Sequence, residues 1–297
     1  MTAAMTTDDV GRRYGSRWAL RHCSLVVPEG SVVGLVGANG AGKSTLLHLA
    51  AGLLEPSVGA LEVLGRRPGG DAVQLARVGF VAQDAPLYGS LTVAEHLRLG
   101  QRLNPQWDRA VATDRVSALD LALDQRAGRL SGGQRSQLAL TIAMGKRPEL
   151  LLLDEPVSSL DPLARRQFLQ DLMALVAEHG PTVVLSTHLL SDVERVCDHL
   201  IVLAHGTVRV DGPVDELLDT HKVLTGARRE LDGLPRSQQI IDASHTDRQT
   251  TVLVRTTEPI LDPRWTVSEV GLEELVLAYL SMNVRQESDA RLTTVRT

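Results

Sequence analysis

Short apolar runs separated by longer amphipathic stretches dominate most of this chain. Three segments contain short apolar cores: "SVVGLVG" (31–37) contains VVGLV, "LLLLDEP" (150–156) contains LLLL, and "TVVLSTH" (182–188) contains VVL. Continuous apolar runs of this length are typical of strands that are buried on both faces of a parallel sheet. Strands that alternate with helices in this way predict an α/β fold.

Other segments depart from that alternation. The segment from about 84 to 140 is helical in pattern and rich in charge, which predicts a helical insertion beside the sheet. The stretch "HLIVLAHGTVRVDG" (199–212) predicts a hairpin that turns at His205-Gly206. The pattern near the N-terminus is β-rich. Residues 1–221 are therefore predicted to form one large domain.

The remaining residues predict a small α+β appendage. Residues 222–239 are polar and carry turn formers, which favours a linker. Residues 240–282 contain three strand candidates and an amphipathic helix, "GLEELVLAYL", which together predict a small accessory domain. Residues 283–297 are predicted to be a disordered tail.

Composition narrows the classes of function. The chain has 297 residues, a net charge of −5 and 43% apolar residues, so its charge offers no basic surface for nucleic acid. No apolar run approaches the ~18 residues that a membrane span needs, and "MTAAMTTDDV" lacks the features of a signal peptide. Cys23 and Cys197 are far apart, and we expect two reduced thiols with no assigned role.

A glycine-rich loop gives the first indication of chemistry. The stretch "GLVGANGAGKSTLLHLAAG" (34–52) matches G-x-x-x-x-G-K-[ST] at Gly37, Gly42, Lys43 and Ser44. Such a loop closes its backbone N–H groups around phosphates, and the following helix directs its positive end at them. Lys43 would neutralise the β- and γ-phosphates, and Ser44 would bind Mg²⁺. The alternative is a glycine-rich turn with a solvated lysine.

Two acids follow the second buried run. Asp154 ends "LLLLD", where a carboxylate beside a phosphate loop helps to hold Mg²⁺. Glu155 is the next residue, and its expected role is to orient or deprotonate the attacking water. An ordinary acid pair capping a turn is the alternative interpretation.

The stretch "LSGGQ" (130–134) predicts a helix start with an additional function. Ser131 is a good N-cap, and Gln134 completes a capping box. A helix cap alone is one interpretation. However, Gly132 and Gly133 directly after the cap lower helix stability, which favours close approach of an anion to this backbone.

Taken together, these motifs resemble the nucleotide-binding subunit of an ABC transporter. The phosphate loop matches at Gly37, Ala38, Asn39, Gly40, Ala41, Gly42, Lys43, Ser44 and Thr45. The signature matches at Leu130, Ser131, Gly132, Gly133 and Gln134, and the D-loop at Ser158, Ser159, Leu160 and Asp161. The single-residue matches are Tyr14, Gln83, Asp154, Glu155 and His188. All of them occur in family order over residues 10–212.

The resemblance implies a P-loop NTPase core of the ABC type and hydrolysis of ATP. Tyr14 would stack on adenine. Ser44, Gln83 and Asp154 would hold Mg²⁺, while Glu155, His188 and Gln83 would serve catalysis. The signature would contact the nucleotide of a second subunit, so a second copy of this chain or a related ATPase is an expected partner.

The resemblance also implies a separate membrane permease, which docks on the helical insertion. The subunit would be soluble alone and peripheral at the cytoplasmic face of the membrane. The stretch "VGLEELVLAYL" (270–280) resembles the end of ATPase subunits of two-component exporters, which favours export over import. The alternatives are an importer ATPase, a regulator that binds ATP without pumping, or an ABC ATPase acting on nucleic acid or ribosomes. The sequence does not name the transported substrate.

Overall fold

The computed structural model describes residues 2–229, 231, 234–235 and 237–282, and three sheets account for its strands. In chain order the strands are β1 (Ala3–Tyr14), β2 (Arg17–Pro28), β3 (Val32–Val36), β4 (Val58–Val63), β5 (Val78–Val81), β6 (Leu150–Asp154), β7 (Thr182–Thr187), β8 (His199–Ala204), β9 (Thr207–Pro213), β10 (His221–Ala227), β11 (Gln239–His245), β12 (Gln249–Arg255) and β13 (Thr266–Glu269). The helices are α1 (Lys43–Ala50), α2 (Ala72–Arg77), α3 (Val93–Leu103), α4 (Arg109–Ala118), α5 (Gly132–Gly145), α6 (Pro162–His179), α7 (Leu190–Val196), α8 (Val214–Thr220) and α9 (272–282).

The central sheet has six strands in the order β5-β6-β7-β3-β8-β9. All neighbouring pairs from β5 to β8 are parallel, and β9 returns antiparallel to β8 through His205-Gly206. The three strands predicted from apolar runs are confirmed as β3, β6 and β7, and the hairpin is confirmed as well. The α/β fold class predicted from the sequence is therefore correct.

The order of the parallel strands brings four loops to one edge. Strands β5, β6, β7 and β3 are consecutive neighbours, and their carboxyl ends point the same way. The chain leaves these ends towards Gln83, Glu155, His188 and the loop that begins at Gly37. Ligands of open α/β sheets bind at this edge. The fold therefore places the predicted chemistry in a single region.

Hydrophobic layers cover both faces of the central sheet. On one face, α1 and the antiparallel sheet β2-β1-β4 pack through a cluster that includes Leu46 and Leu152. On the other face, α5 and α6 pack through Met144 and Phe168. Helices α3 and α4 form a smaller cluster with α5, which corresponds to the predicted helical insertion. No helix of the described residues has the length and apolarity to cross a bilayer.

The C-terminal part differs from the prediction at its start. Residues 222–227, expected to begin a linker, instead belong to β10, which lies inside the sheet β11-β12-β10-β13. The reason is that Val223 and Leu224 are buried on opposite faces of that sheet. The predicted disordered tail, 283–297, lies outside the described residues.

Helix α9 joins the appendage to the large domain. Its Leu275 and Val276 are fully buried in a cluster that also contains Val193 of α7 and Leu200 of β8. The appendage and the central sheet therefore share one hydrophobic cluster. The boundaries proposed for the accessory domain stay a prediction.

This shared cluster predicts that α9 contributes to the stability of the whole chain. Leu275→Ala should lower the free energy of unfolding by about 2–4 kcal/mol, because the side chain is fully buried. Leu277→Ala is the matched control, since Leu277 lies on the same helix and is 54% exposed. Denaturant unfolding of both variants measures the difference. Equal stability of the two variants would show that α9 does not pack as described.

Candidate active site

The glycine-rich loop leads directly into α1 and encloses its lysine. Gly42 is the N-cap of α1 with φ 110°, a conformation that favours glycine. A Cβ atom at Gly42 would also lie 2.8 Å from the backbone oxygen of Ala19. Lys43 begins the helix, is only 5% exposed, and donates a hydrogen bond of 2.7 Å to the backbone oxygen of Gly37. The loop therefore holds a buried ammonium group against its own backbone carbonyl oxygens.

Three charged or titratable side chains form a continuous chain of contacts. The Nζ of Lys43 lies 3.1 Å from Oε1 of Glu155, and the other oxygen of Glu155 lies 3.2 Å from Nδ1 of His188. Lys43 and Glu155 are both buried, while His188 is 43% exposed at its side chain. The attraction between the two buried charges offsets part of the cost of desolvating them. An arriving phosphate would compete with Glu155 for Lys43.

These side chains line one open cleft of about 820 Å³. Most of the sequence-predicted residues meet there. Those in the lining are Tyr14, Asn39, Gly40, Gly42, Lys43, Ser44, Thr45, Gln83, Glu155, Ser158, Ser159 and His188. Gly37, Ala38 and Ala41 belong to the same loop, and Asp154 lies directly before Glu155 and is 3% exposed.

One end of the cleft is aromatic and basic. Tyr14 is 48% exposed there, and the guanidinium of Arg12 lies 5.0 Å from the centre of its ring. Arg17, Trp18 and Asp84 also line the cleft, although sequence reasoning did not select them. An exposed aromatic ring beside a cation suits a purine base, because both the ring and the cation stack on flat π-systems. The proximity of Trp18 to Tyr14 in sequence was the available signal.

The residues expected to hold Mg²⁺ offer suitable atoms. Ser44 and Gln83 carry side-chain oxygen atoms and line the cleft, and Asp154 ends β6 at the same edge. Mg²⁺ prefers oxygen ligands and is commonly held by one or two carboxylates together with substrate phosphates. Within the described ranges, no cluster of three or more histidine, cysteine or acidic residues could hold a metal alone. The donor set therefore fits a magnesium ion that arrives with a nucleotide.

The signature segment stands apart from this cleft. The capping box predicted at α5 is confirmed, with reciprocal hydrogen bonds between Ser131 and Gln134. None of the signature residues lines the cleft. A Cβ at Gly132 would meet nothing closer than 4.0 Å, and one at Gly133 nothing closer than 3.6 Å. The chain's own packing therefore does not require glycine at either position.

The D-loop residues connect the cleft with the signature. Asp161 caps α6 by accepting hydrogen bonds from the backbone of Leu163 and Ala164, as its place before Pro162 predicts. The preceding Leu160 is buried, and its side chain is the nearest group to Gly132. The D-loop thus runs from the lining of the cleft to the base of the signature helix.

Comparison with known proteins identifies relatives of the chain. Residues 20–158 match the family model for ABC transporter. The Nod factor export ATP-binding protein I of Rhizobium sp. (strain N33) is 36% identical over 240 residues, or 76% of this chain and 78% of that protein. The aliphatic sulfonates import ATP-binding protein SsuB 1 of Burkholderia lata is 39% identical over 211 residues, or 71% of this chain and 64% of that protein.

Solved structures with this fold are ATP-binding cassettes. The ATP-binding subunit of an ABC transporter gives a TM-score of 0.65 at 31% identity, over 73% of this chain and 92% of that one. The dimeric structure of a bacterial ABC transporter cassette gives a TM-score of 0.64 at 26% identity, over 71% of this chain and 98% of that one. The chain therefore belongs to the ABC transporter family as an ATP-binding subunit, and it is an ATP-hydrolysing enzyme.

Proposed function

We propose that this chain powers an ABC exporter by binding and hydrolysing ATP in the cleft around Lys43. The observation that supports the proposal is the contact chain Lys43–Glu155–His188, in which a cation, a carboxylate and an imidazole lie next to one another. Such groups can neutralise phosphate charge, activate a water molecule and donate a hydrogen bond to a phosphate oxygen. Tyr14 would stack on adenine at the other end of the cleft.

In the proposed mechanism, hydrolysis begins when the γ-phosphate replaces Glu155 as the partner of Lys43. The γ-phosphate would take the ammonium group, and this would release the Glu155 carboxylate to accept a proton from the attacking water. His188 would donate a hydrogen bond to the γ-phosphate. Magnesium, held by Ser44, Gln83 and Asp154, would neutralise developing charge on the phosphates. The products are ADP and inorganic phosphate.

The signature supports action in a dimer. Gly132 and Gly133 lie at a capped helix start, and no neighbour among the described residues excludes a side chain there. A requirement for glycine would then arise outside the chain, for example from a phosphate that approaches the backbone closely. We propose that this phosphate belongs to ATP bound by a second copy or a related ATPase subunit. One nucleotide would thus join two subunits, and hydrolysis would release them.

Transport needs a membrane partner, and we propose a separate permease that docks on the helical insertion. The subunit would then be peripheral at the cytoplasmic face of the membrane. Export is favoured by the end of the appendage and by the similarity to the Nod factor export protein. An importer ATPase is the second candidate, because relatives named for sulfonate and sulfate import are also similar. The net charge of −5 argues against a nucleic-acid partner.

The role proposed for Lys43 predicts a loss of nucleotide affinity. Lys43→Ala should raise the Kd for a non-hydrolysable ATP analogue by about tenfold or more, because the phosphates lose their buried cation. Calorimetric titration measures the change. Lys222→Ala is the matched control, since Lys222 pairs with Glu269 in the appendage. Unchanged affinity in a folded Lys43→Ala variant would refute the assignment of the site.

The role proposed for Glu155 predicts slow hydrolysis with intact binding. Glu155→Gln should lower kcat by about a hundredfold or more, because the amide keeps the shape of the side chain and cannot accept the proton. The variant should form a dimer with ATP on size exclusion. Glu178→Gln, an exposed position at the end of α6, is the control. Hydrolysis at the wild-type rate by Glu155→Gln would contradict the mechanism.

The proposal for the signature predicts that hydrolysis fails while binding to one subunit persists. Ser131→Arg should abolish hydrolysis and leave the ATP affinity of the monomer within about twofold, because the added cation blocks closure of two subunits. Ser117→Arg places the same side chain at an exposed serine of α4 and should have little effect. An equal loss of monomer affinity in Ser131→Arg would indicate that the signature serves its own cleft.

A further inference from the structure

A serine in β7 links the two acids of the site. Ser186 is fully buried, and the parallel register of β6 and β7 sets it directly opposite Asp154. Its hydroxyl donates a hydrogen bond of 2.8 Å to Oδ1 of Asp154. The hydroxyl oxygen of Ser186 also accepts a hydrogen bond of 2.9 Å from the backbone N–H of Glu155. Ser186 thus contacts both acids through one atom.

The backbone at Glu155 explains why this contact matters. The pairing of β6 with β7 ends at Asp154, so the next N–H group bonds to a side chain instead of strand backbone. Glu155 has φ 44°, a left-handed conformation that is uncommon for non-glycine residues. The reversal of the chain at this point directs the Glu155 side chain to Lys43 and His188.

The Asp154 carboxylate fixes the orientation of the Ser186 hydroxyl. A serine hydroxyl rotates freely unless its hydrogen has a fixed acceptor. Because Oδ1 of Asp154 takes that hydrogen, a lone pair of the Ser186 oxygen faces the Glu155 N–H. The chain of hydrogen bonds therefore runs from the Asp154 carboxylate through Ser186 to the backbone of Glu155.

We propose that Ser186 is a positioning residue for hydrolysis, which acts by holding the backbone of Glu155 in the left-handed conformation that aims its carboxylate into the cleft. This inference rests on the role proposed for Glu155. Ser186 itself is fully buried and does not line the cleft, so it acts on the reaction only through its neighbours.

A purely structural role is the competing explanation, because any buried N–H group needs an acceptor. The same strand provides a matched control for it. Thr182, at the opposite end of β7, is 1% exposed and accepts a hydrogen bond of 2.8 Å from the backbone N–H of Gly30. Thr182→Val and Ser186→Ala each remove one buried hydroxyl acceptor from β7, and only the second one serves Glu155.

The experiment measures kcat, ATP affinity and thermal stability for both variants. Ser186→Ala should lower kcat by about tenfold or more, with the Kd for ATP within about twofold of wild type. Thr182→Val should leave kcat and the Kd for ATP within about twofold of wild type. Its loss of thermal stability should be similar to that of Ser186→Ala. A kcat of Ser186→Ala near that of wild type, or equal slowing by the two variants, would overturn the proposal.

Combination with Glu155→Gln tests whether the serine acts through the glutamate. Ser186→Ala should slow the Glu155→Gln variant by less than about threefold, because two residues that act as a unit are not additive. An equal slowing in both backgrounds would overturn the proposal. The role proposed for Glu155 fails separately, if Glu155→Gln alone hydrolyses ATP at the wild-type rate.

A second pair covers the case in which Ser186→Ala does not fold. The side chains of threonine and valine have nearly the same shape. The variants Ser186→Thr and Ser186→Val therefore differ mainly in the hydroxyl group. The threonine variant should hydrolyse ATP about tenfold faster than the valine variant, with similar ATP affinity. Equal rates would show that the hydroxyl has no role in positioning Glu155.

Discussion

The parallel pairing of β5, β6, β7 and β3 is the constraint on which the rest of this structure depends. Parallel strands share a direction, so their carboxyl ends meet at one edge, and residues far apart in sequence become neighbours there. Each strand is held in register by apolar side chains on both faces, because one face packs on α1 and the other on α5 and α6. A slip of β7 by one residue would remove Ser186 from its position opposite Asp154.

The buried pair of Lys43 and Glu155 sets the charge balance at the centre of the cleft. A lone ammonium group in this loop would bear the full cost of desolvation, and Glu155 offsets part of that cost. The loop is therefore pre-organised before a phosphate arrives. In the proposed mechanism, the Glu155 carboxylate becomes free to act as a base only when a phosphate replaces it at Lys43. Binding of the nucleotide would therefore be coupled to activation of the base.

The sequence predicts most of this site because its signals are local. Continuous apolar runs locate β3, β6 and β7, and the acids, the glycine loop and His188 follow directly from their ends. The capping box at Ser131 is equally local. Two features depend on distant partners and were not predictable: β10, whose burial requires β12 and α9, and Ser186, which in sequence is only a small polar residue inside an apolar run.

The hydrophobic cluster shared by α7 and α9 affects how these two helices unfold locally. Helix α7 begins two residues after His188, and its Val193 is packed in the cluster that contains Leu275 and Val276. Amide hydrogens of the two helices should therefore exchange with solvent as one cooperative unit. Any ligand that immobilises His188 would slow exchange in α9, and by reciprocity a partner that clamps α9 would tighten the binding of that ligand.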